Sequence, residues 1–147
     1  MSRTGVVRVW GAGIALVLVA AACGSSSDKT PTVATTPPAR GVAFTSPVDG
    51  ASVANPVQVA FSTRGFMLEP AGAVHEGAGH LHVMVDVPCV APGQVIPKDA
   101  QHVHLGAGQT ETDLTLTPGN HRLCLQAADG LHTALPVTRE IAITVSG

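Results

Sequence analysis

The sequence is poor in aromatic and in basic residues. It has no Tyr, one Trp and three Phe, and it has eight Lys and Arg against ten Asp and Glu. Proteins that bind single-stranded nucleic acid combine a basic groove with aromatic side chains on which the bases stack. The composition provides neither feature, so we predict that no nucleic acid is a partner.

A long apolar run is also missing. The uncharged stretch from Val9 to Ala22 follows two arginines, and it is shorter than the roughly 20 residues that a transmembrane helix needs. This arrangement is typical of a signal peptide. We therefore place a signal peptide at residues 1–22.

The residues around Cys23 resemble a bacterial lipobox, although Ala20 stands where Leu, Val or Ile is usual. We predict that Cys23 is lipidated and anchors the chain to the extracytoplasmic face of the cell membrane. Cleavage at a nearby Ala-x-Ala site, which would give a secreted protein, is the alternative. Residues 23–40 are rich in Ser, Thr and Pro and have no apolar periodicity, which predicts a disordered tether.

Cysteine is scarce, with three in the chain. Once Cys23 is assigned to the lipid, Cys89 and Cys124 are an even pair, and an exported pair most simply forms one disulfide. The alternative is that both are thiolate ligands of a metal.

Residues 41–147 alternate apolar and polar residues between turn signals and have no helical periodicity. This pattern predicts an all-β domain, an immunoglobulin-like β-sandwich of about seven strands. The predicted strands are 42–45, 56–63, 80–87, 102–105, 110–117, 121–127 and 137–145. Residues 65–79 and 88–100 contain Gly and Pro and are predicted to be connections.

Histidine is the residue that the chain has in unusual number. Four of the seven histidines form two His-x-His pairs, His80 with His82 and His102 with His104. On a strand both rings of a pair leave the same face, here the face opposite the aliphatic residues. If the two strands are neighbours, the rings could share one ion. Met84 lies on the same face and adds a soft sulfur donor, which favours copper over zinc.

The predicted metal ligands are therefore His80, His82, Met84, His102 and His104, with His121 and His132 as less certain members. Asp86 and Glu111 are the candidates to accept hydrogen bonds from ligand imidazoles. A hydrogen-bonded polar network of histidines without a metal is the main alternative.

Signatures of catalysis are missing from the sequence. His75 and His80 have the spacing His-Glu-x-x-x-His, one residue longer than the zinc-protease motif, and three small residues between them disfavour a helix. No nucleophilic serine elbow or phosphate-binding glycine loop is present. We therefore predict no catalytic residues and no enzyme activity.

An ordered series of motifs runs through the domain from about Phe44 to Val145. They are Gly79-His80-Leu81-His82 followed by Asp86, Ile96-Pro97, Gln101-His102-Val103-His104-Leu105-Gly106, Gly108-Gln109-Thr110-Glu111-Thr112, Pro118-Gly119-Asn120-His121-Arg122-Leu123, and His132. In this series the chain resembles an uncharacterised family of exported bacterial His-rich β-sandwich domains, some of whose members carry a rod shape-determining label. The resemblance implies export and a β-sandwich, but no activity. Leu81, Leu105 and Asn120 depart from the residues that are frequent in the family.

These features lead to two functional hypotheses. The first is an exported, lipid-anchored domain that binds a transition metal, copper or zinc, and stores, buffers or delivers it. The second is a non-catalytic envelope or surface module that binds a protein or glycan and uses the histidines as a structural network. Both hypotheses place the chain at the membrane through its lipid, and neither specifies an oligomeric state.

Overall fold

The computed structural model describes residues 39–147, which form nine β-strands and no α-helix. The strands are β1 (Gly41–Ser46), β2 (Ser52–Val53), β3 (Val57–Arg64), β4 (Met67–Leu68), β5 (Ala78–Val85), β6 (His102–Leu105), β7 (Glu111–Leu114), β8 (Gly119–Ala128) and β9 (Ala134–Val145). In this part of the chain no helix has the length and apolar character needed to cross a membrane. The predicted signal peptide, Cys23 and nearly all of the tether lie outside the described residues.

The strands form two sheets. One has three strands in the order β1-β3-β7, and the other has six, with β2-β9-β8-β5-β4 along the sheet and β6 also paired with β5. Apolar residues from both sheets meet in one core, with Val59 and Phe61 from the small sheet and Leu81, Leu123 and Ile141 from the large one. The prediction of an all-β sandwich is confirmed, and the immunoglobulin-like arrangement stays a prediction.

The two strands that the sequence did not predict, β2 and β4, are both two residues long. Each joins the large sheet by parallel pairing, β2 with β9 and β4 with β5. Two residues cannot display an alternating pattern, so the sequence offers no periodic signal for them. Strand β4 lies inside the segment 65–79 that was predicted to be a connection.

Both faces of β5 are buried. Leu81 and Val83 point into the core between the sheets, whereas His80, His82 and Met84 lie on the opposite face and are also buried. Residues 86–101, which we call the cover loop, lie over this second face. Ile96 of the cover loop packs with Met84 in a second apolar cluster, whose other members are Cys124, Ala128 and Ala134.

A disulfide and several hydrogen bonds hold the cover loop on the sheet. The disulfide between Cys89 and Cys124, with Cα atoms 5.6 Å apart, joins the loop to β8 and confirms the predicted pairing. The Val90 N–H donates to Gln126 Oε1 at 2.9 Å, and Gln126 Nε2 donates to the Val90 carbonyl at 2.8 Å. Gln126 is fully buried, so these bonds satisfy an amide that would otherwise destabilise the interior.

Candidate metal centre

The two strands that carry the His-x-His pairs are neighbours. Strands β5 and β6 pair antiparallel, with His82 opposite His104 and Met84 opposite His102. Side chains that are directly opposite on neighbouring strands have Cβ atoms about 4.5–5.5 Å apart. This register therefore brings His82 and His104 close enough for their rings to interact.

Four imidazole rings meet at this position, those of His80, His82, His104 and His132. His80 Nε2 lies 3.0 Å from His82 Nε2, and His104 Nε2 lies 3.1 Å from His132 Nε2. One nitrogen from each ring can be chosen so that all of them lie within 4.8 Å of one another. We call these four residues the histidine group.

His132 reaches the group from the turn between β8 and β9. Its backbone has φ of 68°, a left-handed conformation that is uncommon for a residue with a side chain. Asp129 holds the turn, because its Oδ1 accepts the N–H groups of Leu131 and Thr133, both at 2.9 Å. The cover loop adds a further bond, from the Ile96 N–H to the His132 carbonyl at 2.9 Å. His132 is thus fixed in place by the backbone on both sides.

Gly106 leaves room for the His104 ring. A Cβ atom added at Gly106 would lie 2.0 Å from His104 Cε1, closer than any real contact. Gly106 therefore allows the His104 ring to fold back over the backbone toward the other three rings. This glycine is the last residue of the motif His102-Val103-His104-Leu105-Gly106.

Desolvation lowers the pKa of three rings of the group. His80 and His82 are 0% and 2% exposed. Desolvation, followed by the neighbouring rings His104 and His132, lowers the pKa of His80 to about 4. Desolvation and the same neighbours, together with His80 itself, lower the pKa of His82 to about 3. The pKa of His104 is also lowered, by desolvation and then by His132 and the Lys98 ammonium. Because a metal binds neutral imidazole, these rings are in the ligand form at pH 7.

Two nitrogens in the group have no hydrogen-bond partner among the described residues. They are Nδ1 of His80 and Nδ1 of His82, both inaccessible to solvent. In the contact between the two Nε2 atoms one ring donates and the other accepts, so one Nδ1 is a bare acceptor and the other is an unpaired N–H. An unpaired buried polar atom costs about 1–3 kcal/mol. This cost is unusual for a purely structural network.

The family model described as Domain of unknown function (DUF4399) matches residues 59–146. This chain belongs to that family. The match extends from β3 to β9 and includes all four residues of the histidine group, and it confirms the resemblance to an uncharacterised family. No curated protein matches the chain, and no solved structure does either.

Two of the predicted ligands of this DUF4399 domain lie outside the histidine group. His102 begins β6, where its Nδ1 donates to Asp99 Oδ1 at 2.7 Å. Met84 packs in the second apolar cluster with Ile96 and Cys124. The alternation of side chains along each strand correctly predicts the face on which both side chains lie. That face extends over several residues, however, and only the side chains nearest to one ion can bind it.

His121, predicted as a less certain ligand, has its own partners. Its Nδ1 donates to Asp86 Oδ2 and its Nε2 to the Thr117 carbonyl, both at 2.7 Å. The Thr117 carbonyl and then Asp86 raise the pKa of His121, so the charged ring is favoured. Burial opposes ionisation of Asp86, but the hydrogen bonds from the Arg122 N–H and from His121 outweigh it and lower the pKa of Asp86. Asp86 thus supports His121 and not the histidine group.

Glu111, the other predicted hydrogen-bond acceptor, also lies elsewhere. It is in β7 of the three-stranded sheet, opposite Ala60. The residue that does orient a ring of the group is Asp129, through the turn that carries His132. Asp129 precedes His132 in the sequence by three positions, and a turn-forming Asp just before a candidate His is a signal that sequence reasoning could have used.

The dimensions of the group suit a transition metal. Bonds of about 2.0–2.1 Å place the nitrogens of a four-coordinate ion about 2.9–4.2 Å apart. The Nε2–Nε2 separations of 3.0 Å and 3.1 Å fall in this range, and all of the chosen nitrogens lie within 4.8 Å of one another. A donor set of imidazoles with no carboxylate suits copper, zinc or nickel and disfavours magnesium and calcium. The histidine group could therefore hold a metal ion.

Proposed function

We propose that this DUF4399 domain binds one transition-metal ion through His80, His82, His104 and His132, with copper as the preferred metal and zinc as the second. The observation that carries the proposal is the convergence of four imidazoles from two strands and a turn, two of them buried. When Nε2 of each ring donates its lone pair to an ion, the two close ring-to-ring contacts become neighbouring positions of one coordination sphere.

The preference for copper rests on the donor set. Nitrogen sites bind divalent first-row metals in an order that reaches its maximum at Cu²⁺ and falls at Zn²⁺. A donor set of four imidazoles, without thiolate or carboxylate, should keep that order of affinity. The sulfur of Met84 belongs to the second apolar cluster and is not part of this donor set.

We further propose that the domain works outside the cytoplasm, anchored through Cys23, and stores, buffers or delivers the ion there. The basic and apolar segment before Cys23 supports export. The disulfide between Cys89 and Cys124 supports an oxidising compartment. We assign no catalytic residue; the carboxylates of Asp99 and Asp129 bond to the backbone or to His102.

Metal retention tests the proposal. A chain that starts at Gly24, equilibrated with Cu²⁺ or Zn²⁺ and desalted, should retain about one ion per molecule as measured by elemental mass spectrometry. The substitutions His82→Ala and His104→Ala should each weaken binding by at least tenfold, since even residues that only orient a ligand contribute about that much. His75→Ala is the matched control, because His75 is exposed and paired with Glu69.

The competing hypothesis, a structural network in an interaction module, gives a different result. It predicts that His82→Ala lowers the free energy of unfolding and that the wild-type chain retains no more metal than the variant does. Retention that is equal in the wild-type chain, His82→Ala and His104→Ala would remove the metal proposal.

A further inference from the structure

The histidine group borders a cavity that is larger than a metal ion needs. The cavity has a volume of about 260 Å³ and is lined by His82, His104 and His132 together with Ile96, Pro97 and Lys98 of the cover loop. His80 is fully buried and does not line it. An ion held by the group would therefore be enclosed on the side of His80 and open on the side of the cover loop.

The charge around this cavity is positive once an ion is bound. The four imidazoles are neutral ligands, so a divalent ion would keep its full charge in a partly desolvated site. Lys98 adds a second cation at the opening, and over residues 39–147 it forms no salt bridge.

The two acids nearest in sequence to the cavity residues are already engaged. Asp99 Oδ1 accepts hydrogen bonds from His102 Nδ1 and the Gln101 N–H, and Asp129 Oδ1 accepts from the turn that carries His132. Neither acid lines the cavity. Asp129 is close enough to act electrostatically on His80, so its charge would offset part of the charge of a bound ion. An external anion in the cavity would balance the rest.

We propose that the metal-loaded site binds a small monoanion in this cavity, between the ion and the Lys98 ammonium. This inference rests on the metal proposal and names the second ligand of the same site. Ile96 and Pro97 give the cavity an apolar wall, so a short-chain carboxylate fits it better than a fully hydrated inorganic anion. The domain would then take up its metal together with a carboxylate, and exchange of that anion would open a route for the ion to leave.

Azide is a suitable probe, because it is a small monoanion whose binding to Cu²⁺ produces a new charge-transfer absorption. The copper-loaded chain should show saturable azide binding by absorption and electron paramagnetic resonance, and acetate should compete with azide more strongly than chloride does. Lys98→Gln, compared at equal copper content, should weaken azide binding by roughly tenfold because the second cation is lost. Lys98→Arg should keep most of the affinity, and Arg139→Gln, which removes an exposed cation of β9 outside the cavity, should keep all of it.

The outcomes separate this inference from the metal proposal. A chain that retains copper but shows no spectral change with azide would overturn the anion site alone. Equal azide affinity in the wild-type chain and Lys98→Gln would also overturn it, since Lys98 would then have no part in binding. A chain that retains no copper would overturn both proposals. Stronger competition by chloride than by acetate would overturn the preference for a carboxylate.

Discussion

The metal-free domain is expected to lose about 3 kcal/mol or more of its free energy of unfolding between pH 6.5 and pH 4. The reason is the burial of His80 and His82, whose pKa values in the folded chain are about 4 and about 3. In the unfolded chain both pKa values return to about 6.5. Below pH 6.5 the unfolded state therefore binds protons that the folded state does not, and stability falls as the pH is lowered toward the folded-state values.

The titration of His121 changes the free energy of unfolding in the direction opposite to that of His80 and His82. Its pKa is raised in the folded chain by the Thr117 carbonyl and by Asp86. The stability that it contributes is therefore complete below the unfolded pKa and is lost as the pH rises through the folded one. Acidification thus favours the charged form of His121, which the folded chain stabilises. It also favours protonation of His80 and His82, which the folded chain opposes because both rings are more deeply buried. The net effect is destabilisation.

Urea unfolding in the presence of a chelator, at several values between pH 7.5 and pH 4, measures this dependence. His82→Leu removes one titrating ring and one unpaired polar atom at similar volume, so the unfolding free energy should depend less steeply on pH below 6.5. His75→Leu, which removes an exposed ring near Glu69 and outside the histidine group, is the matched control. Equal slopes for the wild-type chain and His82→Leu would show that burial of this ring does not control acid stability.

The strands of the histidine group could be predicted because their residues alternate. Leu81 and Val83 specify the inner face of β5, and that parity alone assigns His80 and His82 to the other face. The register of β5 against β6 could not be predicted, since it is set by pairing between segments separated by the whole cover loop. The sequence therefore predicts which rings share a face, and only the fold selects His104 and not His102 for the group.

The place of His132 in the histidine group could not be predicted from the periodicity of the sequence. It lies in a turn, where no alternation indicates the direction of a side chain, and it meets His104 across 28 positions of sequence. The burial of the second face of β5 could not be predicted from the alternation either. An apolar inner face and a polar outer face predict a solvated outer face, whereas here the cover loop lies over it with Ile96 and the disulfide.

Removal of the disulfide is expected to lower the free energy of unfolding by about 3–4 kcal/mol, because the bond closes a loop whose ends are 35 residues apart. The reduced unfolded chain gains the entropy that the crosslink had removed. Cys124 is buried beside Met84, so a substitution to Ala also leaves a small gap in the second apolar cluster. The double substitution Cys89→Ala with Cys124→Ala should therefore be destabilised by at least as much as loss of the crosslink alone predicts, as measured by urea unfolding.

The same change should make metal release faster. The cover loop carries Ile96, Pro97 and Lys98, which line the cavity above the histidine group, and the disulfide is its covalent attachment to β8. The bonds between Gln126 and Val90 remain, so the loop should open more often without detaching. Copper transfer to a chelator, followed by absorption, should be several times faster in the double variant than in the wild-type chain, and Arg122→Gln, an exposed change in the same strand, should not alter it. Equal transfer rates at equal copper content would show that the cover loop does not control access to the ion.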